Sequence, residues 1–153
     1  FAAPDVGSTN RVREVANYFN AEMVICDKHR KRANEIASMV VIGDVTGKDI
    51  VIVDDICDTG GTLVKAAALL KEKGARSVRA MITHPVLSGK AYENIENSVL
   101  EELVVCDTIP LAHPSAKIKV VTVADLFAIA IRNAYENKSI TSLFVHSQLK
   151  ARG

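Results

Sequence analysis

The sequence predicts an α/β fold in which a mostly parallel sheet is flanked by helices. Runs of consecutive aliphatic residues, such as residues 50–53 (Ile-Val-Ile-Val), are typical of strands buried on both faces of a parallel sheet. These runs alternate with segments whose apolar residues recur at helical spacing, which is the pattern of βαβ units. The length of 153 residues suits a single domain.

The first part of the chain is predicted to contain one helix and four strands. The helix would begin at Ser8 or Thr9, either of which can cap its first turn, and would run to about Asn20. The basic segment 27–35 (Asp-Lys-His-Arg-Lys-Arg-Ala-Asn-Glu) has no apolar face and is predicted to be a loop. The helix would place Val12, Val15, Ala16 and Phe19 on one face. The predicted strands are 1–4, 22–26, 38–42 and 49–53.

The rest of the chain continues the alternation of helices and strands. Gly74 is the expected C-terminal cap of a helix over 61–73, since glycine readily adopts the left-handed conformation. The predicted strands are 77–83, 101–106 and 117–121, and further helices are predicted at 89–97 and from 122 or 123 to 136. The last helix is expected to bury Val123, Leu126, Phe127, Ile129, Ala130 and Ala134.

Composition excludes several classes of protein. The net charge of +1 provides no electrostatic basis for binding nucleic acid or an anionic membrane. No apolar run approaches the length of a transmembrane helix, and no secretory signal is evident. The scattered cysteines, Cys26, Cys57 and Cys106, form no metal-binding pair and suit a reducing compartment. We therefore expect a cytoplasmic protein, and the start at Phe1 suggests a piece of a longer chain.

The strongest chemical signal is segment 50–62, which ends in Asp-Asp-Ile-Cys-Asp-Thr-Gly-Gly-Thr. A buried strand is followed directly by Asp54 and Asp55, and residues 59–62 open the next helix. Unpaired backbone N–H groups at a helix N-terminus bind phosphate, and glycines allow the backbone to approach it closely. A carboxylate pair would repel phosphate but can accept hydrogen bonds from vicinal sugar hydroxyls, with a magnesium ion nearby. The segment therefore predicts a sugar-phosphate site.

The alternative is an ordinary strand-to-helix turn in which the acids only cap the helix. The segment is not a Walker A loop, because no Gly-Lys-Ser/Thr follows the glycines. Ligands of parallel sheets bind beyond the carboxyl ends of the strands. The loop that contains Asp5 and the loop that contains Asp54 both follow strands, so we expect them to lie close together.

Segment 50–62 resembles the thirteen-residue motif that binds phosphoribosyl pyrophosphate (PRPP) in type I phosphoribosyltransferases and PRPP synthetases. The resemblance implies a type I phosphoribosyltransferase-like fold. It also implies that Asp54 and Asp55 hold the ribose 2- and 3-hydroxyls. By the same matching, the 5-phosphate would be held by Asp58, Thr59, Gly60, Gly61 and Thr62.

Four further segments resemble PRPP synthetases rather than transferases. Segment 3–7 (Ala-Pro-Asp-Val-Gly) is similar to a loop whose acid, here Asp5, helps to bind magnesium. Segment 27–35 is similar to a mobile catalytic loop in which a lysine and an arginine, here Lys28 and Arg30, hold the transferring phosphates. Segments 83–111 and 130–144 resemble the same family, although Ser8 and Pro85 replace common glycines.

The cationic segment is also reasonable on physical grounds. Diphosphoryl transfer needs positive charge on oxygens that gain negative charge in the transition state. Lys28 supplies a point charge and Arg30 a bidentate fork. The alternative is a solvated surface loop. His84 could approach the site or have a structural role. Cys57 is expected to fill space within the predicted ligand loop, residues 54–62.

The resemblance implies a PRPP synthetase that transfers the diphosphoryl group of MgATP to the 1-hydroxyl of ribose 5-phosphate, with Mg²⁺ as cofactor. The chain would be the C-terminal half (1–153) of a longer protein that forms homo-oligomers, usually hexamers, and whose N-terminal half is absent. Ser139 and Thr141 match positions that help to bind an allosteric phosphate or ADP, or they belong to a docking segment. The alternatives are a PRPP-consuming transferase and a non-catalytic regulatory homologue.

Overall fold

The computed structural model describes residues 1–29 and 38–144, with only the backbone described for Lys28, His29 and Ser38. Within these residues the chain forms one seven-stranded sheet, four α-helices and a short 3₁₀ helix. The strands are β1 (Ala2–Ala3), β2 (Val24–His29), β3 (Ser38–Ile42), β4 (Asp49–Cys57), β5 (Ser77–Pro85), β6 (Glu102–Cys106) and β7 (Ile118–Val121). The helices are α1 (Thr9–Tyr18), α2 (Gly61–Glu72), α3 (Ala91–Glu96) and α4 (Ala124–Tyr135), and the 3₁₀ helix is Thr141–Leu143.

The sheet has the strand order β3-β2-β1-β4-β5-β6-β7. All neighbouring strands are parallel except β2 and β3, which pair antiparallel. The chain leaves β1 for β2 on one side, and β4 then pairs with the other side of β1. The carboxyl ends of β1 and β4 therefore lie at a point where the winding of the sheet reverses, which is the place where such sheets bind ligands. The predicted α/β class with a mostly parallel sheet is confirmed.

Helices cover the two faces of the sheet unevenly. On one face, α2 and α3 enclose the main core, in which Ile52, Leu70, Ile95 and Leu103 are almost fully buried. On the other face, α1 packs Val12 against Ala3 and Val53 in a smaller cluster. Both clusters lie beside β4. This strand is therefore held on two sides, which fixes the position of the side chains at its carboxyl end.

Three strands extend further at their carboxyl ends than the sequence suggests. β4 continues past Val53 to Cys57, β2 past Cys26 to His29, and β5 past Thr83 to Pro85. The extensions persist because their backbones have ladder partners: Cys57 pairs with Pro85 of β5, and residues 27–29 pair with β3. Backbone pairing does not require apolar side chains, so the hydrophobic pattern did not predict these extensions.

The predicted burial of the last helix is wrong. None of the residues of α4 is buried, and Leu126, Phe127 and Ile129 expose about half of their surface. In the described part of the chain, α4 makes too few contacts with the sheet to cover it. The helix therefore presents its apolar side outward, although its sequence has the pattern of a core helix.

Helix α1 also differs in detail from its prediction. Val12 and Ala16 are buried, but Phe19 is exposed and stacks on Phe1 at a ring-centroid distance of 5.5 Å. Ser8 occupies the N-cap position without capping, because its hydroxyl donates to Asp5 instead. Across the described ranges, we find no helix with the length and hydropathy needed to cross a membrane.

Candidate sugar-phosphate site

A pocket of about 400 Å³ lies at the carboxyl ends of β1 and β4. The loop after β1 contributes Pro4, Asp5, Gly7 and Ser8, and the first turns of α1 contribute Arg11. The opposite wall is formed by residues 54–63, with Ile82 of β5 at the base. The expectation that the Asp5 and Asp54 loops lie together is confirmed. The pocket also contains all seven residues that the sequence assigns to ribose and phosphate.

The ligand loop is anchored by α3 and by the segment that precedes it. The carbonyl of Cys57 accepts a hydrogen bond from Leu87 N, and the carbonyl of Asp58 accepts one from Ser88 N, at 3.0 and 3.1 Å. The side chain of Asn94 donates to the carbonyl of Thr59 at 2.9 Å. Ser88 also donates its hydroxyl to a carboxylate oxygen of Asp58. Three successive carbonyls of the loop are therefore engaged by donors outside it, which fixes the course of its backbone.

The glycines determine how this loop enters helix α2. Gly60 is the N-cap residue and has a φ of +74°, a conformation that favours glycine. The turn directs the first N–H groups of α2, from Gly61 onward, out of the helix without an intrahelical acceptor. The helix dipole adds partial positive charge at the same point. This end of the pocket can therefore hold a phosphate.

The other end of the pocket is acidic. Asp54 has 20% of its side chain exposed and Asp55 51%. Burial raises the pKa of Asp54 to about 6, the backbone N–H of Asp55 opposes this shift, and the charges of Asp55 and Asp5 add to it. A carboxylate that is costly to ionise gains from any ligand that donates hydrogen bonds to its charged form. Vicinal hydroxyls supply such donors.

Arg11 joins the two carboxylates, and the sequence analysis did not identify it. Its Nη1 donates to Asp54 Oδ1 at 3.1 Å, and its Nη2 donates to Asp55 Oδ2 at 2.6 Å. A signal was present in the sequence. Arg11 follows Ser8 by three residues in a predicted helix, so both lie on the same helical face, toward the strand ends. Ser88 and Asn94, which anchor the loop, left no comparable signal.

Asp5 fits the magnesium role only as one member of a larger site. Its Oδ1 accepts hydrogen bonds from the N–H and hydroxyl of Ser8, and no described residue donates to its Oδ2. In residues 1–29 and 38–144, no group of three or more His, Cys, Asp or Glu side chains is arranged to hold a metal ion. Mg²⁺ commonly keeps several waters and binds one or two carboxylates plus substrate phosphates. One free carboxylate oxygen at this pocket is consistent with that mode.

The remaining candidates are not among the described residues that line the pocket. Lys28 belongs to β2, where its backbone pairs with Met39, so this part of the predicted catalytic loop is strand. Arg30 lies outside the described residues. Ser139 donates its hydroxyl to Thr141 Oγ1 at 2.8 Å in the exposed segment after α4, and neither residue lines the pocket. Nothing in these contacts tests their allosteric assignment.

His84 and Cys57 have local structural roles. The hydroxyl of Thr108 donates its single proton to the carbonyl of Thr83, so Nδ1 of His84 must donate to Thr108 Oγ1, at 2.9 Å. His84 thereby ties β5 to the segment after β6 and does not line the pocket. Cys57 is buried, and this burial raises the pKa of its thiol to about 11, with the charges of Asp54 and Asp58 adding to the shift.

Comparisons with known proteins agree with this geometry. The family model described as "phosphoribosyl synthetase-associated domain" matches residues 9–145. The chain is 54% identical over 143 residues to a ribose-phosphate pyrophosphokinase of Campylobacter jejuni, covering 94% of this chain and 46% of the relative. A ribose-phosphate pyrophosphokinase of Porphyromonas gingivalis is 50% identical over 143 residues, with the same two coverages.

A solved structure supports the fold independently. The crystal structure of phosphoribosylpyrophosphate synthetase from Mycobacterium smegmatis superposes with a TM-score of 0.82 at 32% identity, covering 89% of this chain and 44% of the other. The chain thus spans about half the length of the relatives it matches. Both the sequence match across most of the chain and the shared fold lead to one conclusion: the chain belongs to the phosphoribosyl synthetase family.

Proposed function

We propose that this chain is the ribose 5-phosphate-binding, C-terminal part of a ribose-phosphate pyrophosphokinase. One observation carries the proposal: the N–H groups at the start of α2 and the carboxylate pair Asp54 and Asp55 line the same pocket of about 400 Å³. The 5-phosphate would bind Asp58, Thr59, Gly60, Gly61 and Thr62, and the ribose 2- and 3-hydroxyls would bind Asp54 and Asp55. The names of the relatives support the same activity.

The proposed reaction is transfer of a diphosphoryl group from MgATP. With the 5-phosphate and two hydroxyls held, the 1-hydroxyl is fixed in position beside the triphosphate. Its oxygen forms a bond to the β-phosphorus as the bond from that phosphorus to the α,β-bridging oxygen breaks; AMP leaves with the bridging oxygen, and the proton of the 1-hydroxyl is released to water. Positioning of the two substrates accounts for much of the rate enhancement in such a transfer.

Charge stabilisation is assigned to Lys28 and Arg30, which would contact the transferring phosphates. Magnesium, when bound with ATP, would neutralise charge on the triphosphate. Asp5 would be its protein ligand in this chain, because Asp5 lines the shared pocket and its Oδ2 accepts no hydrogen bond from a described residue. The described residues supply no complete metal site, so the triphosphate and water would complete the coordination.

The rest of the longer protein is the proposed source of the adenine site. Relatives have about twice the length of this chain, and helix α4 exposes apolar residues that a second domain or subunit would cover. We expect a homo-oligomer of the full-length protein, hexameric by family resemblance, in the cytoplasm. Ser139 and Thr141 would contribute to an allosteric phosphate or ADP site between subunits.

The test is AMP release by the full-length gene product with MgATP, in the presence and absence of ribose 5-phosphate. The proposal requires AMP that forms only with the sugar and is lost in Lys28→Ala. A folded protein that binds PRPP but releases no AMP would contradict it. Diphosphate release from PRPP without ATP would indicate a transferase, whereas binding without turnover would indicate a regulatory homologue.

A further inference from the structure

The charge balance of the pocket depends on one residue of α1. Four aspartates line the pocket, namely Asp5, Asp54, Asp55 and Asp58. Among the described lining residues, Arg11 is the only one with a positive charge. A phosphorylated sugar is itself an anion, so an uncompensated acidic wall would oppose its entry. Arg11 offsets that charge directly at the carboxylate pair.

Arg11 also solves a geometric problem. Asp54 and Asp55 are consecutive residues of β4, and consecutive side chains of a strand leave it toward opposite faces. Although the two carboxyls still approach each other at this strand end, their like charges repel, so their pairing calls for a common cationic partner. The guanidinium provides one, because each of its terminal nitrogens donates to a different carboxylate, at 3.1 and 2.6 Å.

The pairing leaves acceptor oxygens on both acids. Arg11 uses Oδ1 of Asp54 and Oδ2 of Asp55, and the N–H of Asp55 also donates to Oδ1 of Asp54. Apart from the close approach of the two carboxyls to each other, no described residue is found to donate to Oδ2 of Asp54 or to Oδ1 of Asp55. Each acid therefore keeps one oxygen for a ligand, while its other oxygen fixes the rotation of the carboxylate.

We propose that Arg11 is a positioning residue that ties Asp54 and Asp55 into a paired acceptor for vicinal hydroxyls and thereby sets the preference for ribose over 2-deoxyribose. This inference rests on the proposed function, because it assumes that the two acids bind the sugar. Arg11 acts through the carboxylates and makes no contact with the reacting atoms. Lysine cannot replace it, since a single ammonium lacks the planar fork that reaches both carboxylates.

The experiment measures the dissociation constants of ribose 5-phosphate and 2-deoxyribose 5-phosphate on the full-length protein by isothermal titration calorimetry. The variants are Arg11→Lys, which keeps the charge, and Arg11→Gln, which removes it. Arg13→Lys is the matched control: it lies on the same helix, is exposed, donates to Asn10 at 3.0 Å and does not line the pocket. Thermal unfolding of each variant shows whether it folds.

We expect the wild type to bind the ribose compound at least about tenfold more tightly, because a missing hydroxyl leaves a partly buried, charged acceptor unpaired. Both Arg11 variants should lose most of this ratio. In Arg11→Lys the ratio should fall mainly because ribose 5-phosphate binds more weakly. The affinity of this variant for 2-deoxyribose 5-phosphate should stay within about twofold of wild type, because the deoxy compound has only one of the two hydroxyls that the paired carboxylates accept. Arg13→Lys should keep the wild-type ratio.

A ratio that stays unchanged in folded Arg11→Lys and Arg11→Gln would overturn the inference. An equal loss of affinity for both sugars would also overturn it, because that result indicates a general charge effect. Sugar-dependent AMP release by the same wild-type preparation distinguishes failure of this inference from failure of the proposed function. If AMP forms and the ratio does not respond to Arg11, only this inference fails; if the wild type neither binds the sugar nor forms AMP, the proposed function fails with it.

Discussion

Gly60 is the residue whose substitution should damage the site most for the smallest change in volume. It has a φ of +74°, and a Cβ added there would lie 3.7 Å from the carbonyl oxygen of Ala91 and 3.8 Å from Ile95 Cγ1. These are ordinary contacts, so a methyl group fits sterically. The cost of Gly60→Ala is then the left-handed backbone alone, about 1–2 kcal/mol for an L-residue.

Gly61→Ala is the matched control. Gly61 is the first residue of α2, has no positive φ, and its added Cβ would lie 3.7 Å from Thr59 Oγ1. Alanine is favoured over glycine inside a helix by roughly 1 kcal/mol, with less expected at an end. Neighbouring substitutions of identical chemistry should therefore change the free energy of unfolding in opposite directions.

Urea unfolding followed by circular dichroism measures both changes, and calorimetric titration with ribose 5-phosphate measures the effect on the site. Gly60→Ala should lower the free energy of unfolding by about 1–2 kcal/mol. It should also weaken sugar-phosphate binding by more than about tenfold, because relaxation of φ rotates the N–H groups at the start of α2. A Gly60→Ala variant as stable as Gly61→Ala would refute the argument from backbone conformation. Reduced stability with unchanged binding would refute its link to phosphate.

Three further predictions follow from burial and charge. Leu70→Ala should lower the free energy of unfolding by about 2–5 kcal/mol, because Leu70 is buried. Leu126→Ala in the isolated chain should change it by less than about 0.5 kcal/mol, because Leu126 is exposed. Equal values for the two variants would contradict the described packing. Because the pKa of Asp54 is raised in the folded state, that state binds the proton more tightly than the unfolded state does. The contribution of Asp54 to the free energy of unfolding should therefore fall as pH rises from about 4 to about 6. Urea unfolding at both pH values should show that trend weakened in Asp54→Asn. At pH 8, iodoacetamide should modify the buried Cys57 far more slowly than the partly exposed Cys106, as read by peptide mass spectrometry; equal rates would contradict the burial of the loop thiol.

The sequence was sufficient to predict the fold class and part of the pocket lining. Consecutive aliphatic residues predicted β4 as a buried parallel strand, and Asp54, Asp55 and the glycines that follow it do line one pocket. These features are local, because each depends on residues adjacent in the chain. The proximity of the Asp5 loop to the Asp54 loop could also be predicted, because the carboxyl ends of parallel strands lie at the same edge of a sheet.

Features that depend on partners distant in sequence were not predicted. Arg11 reaches carboxylates that lie 43 and 44 positions away, and Asn94 anchors the carbonyl of Thr59 from 35 positions away. Neither pairing leaves a periodic pattern. The burial of α4 was predicted wrongly for a related reason: an apolar face shows that a helix needs a covering surface but does not say where that surface is.

The exposed apolar side of α4 has a consequence for how such a protein is handled in the cell. Leu126, Phe127, Ile129 and Ile131 each expose about half or more of their surface on a single helix. Chaperones and degradation systems recognise exposed segments of this kind as signs of incomplete folding. If a second domain or subunit covers α4, as proposed above, a copy of this domain made without that partner would attract quality control even with its pocket fully formed. The abundance of the active protein would then depend on the folding of both parts together, and not on the stability of this domain alone.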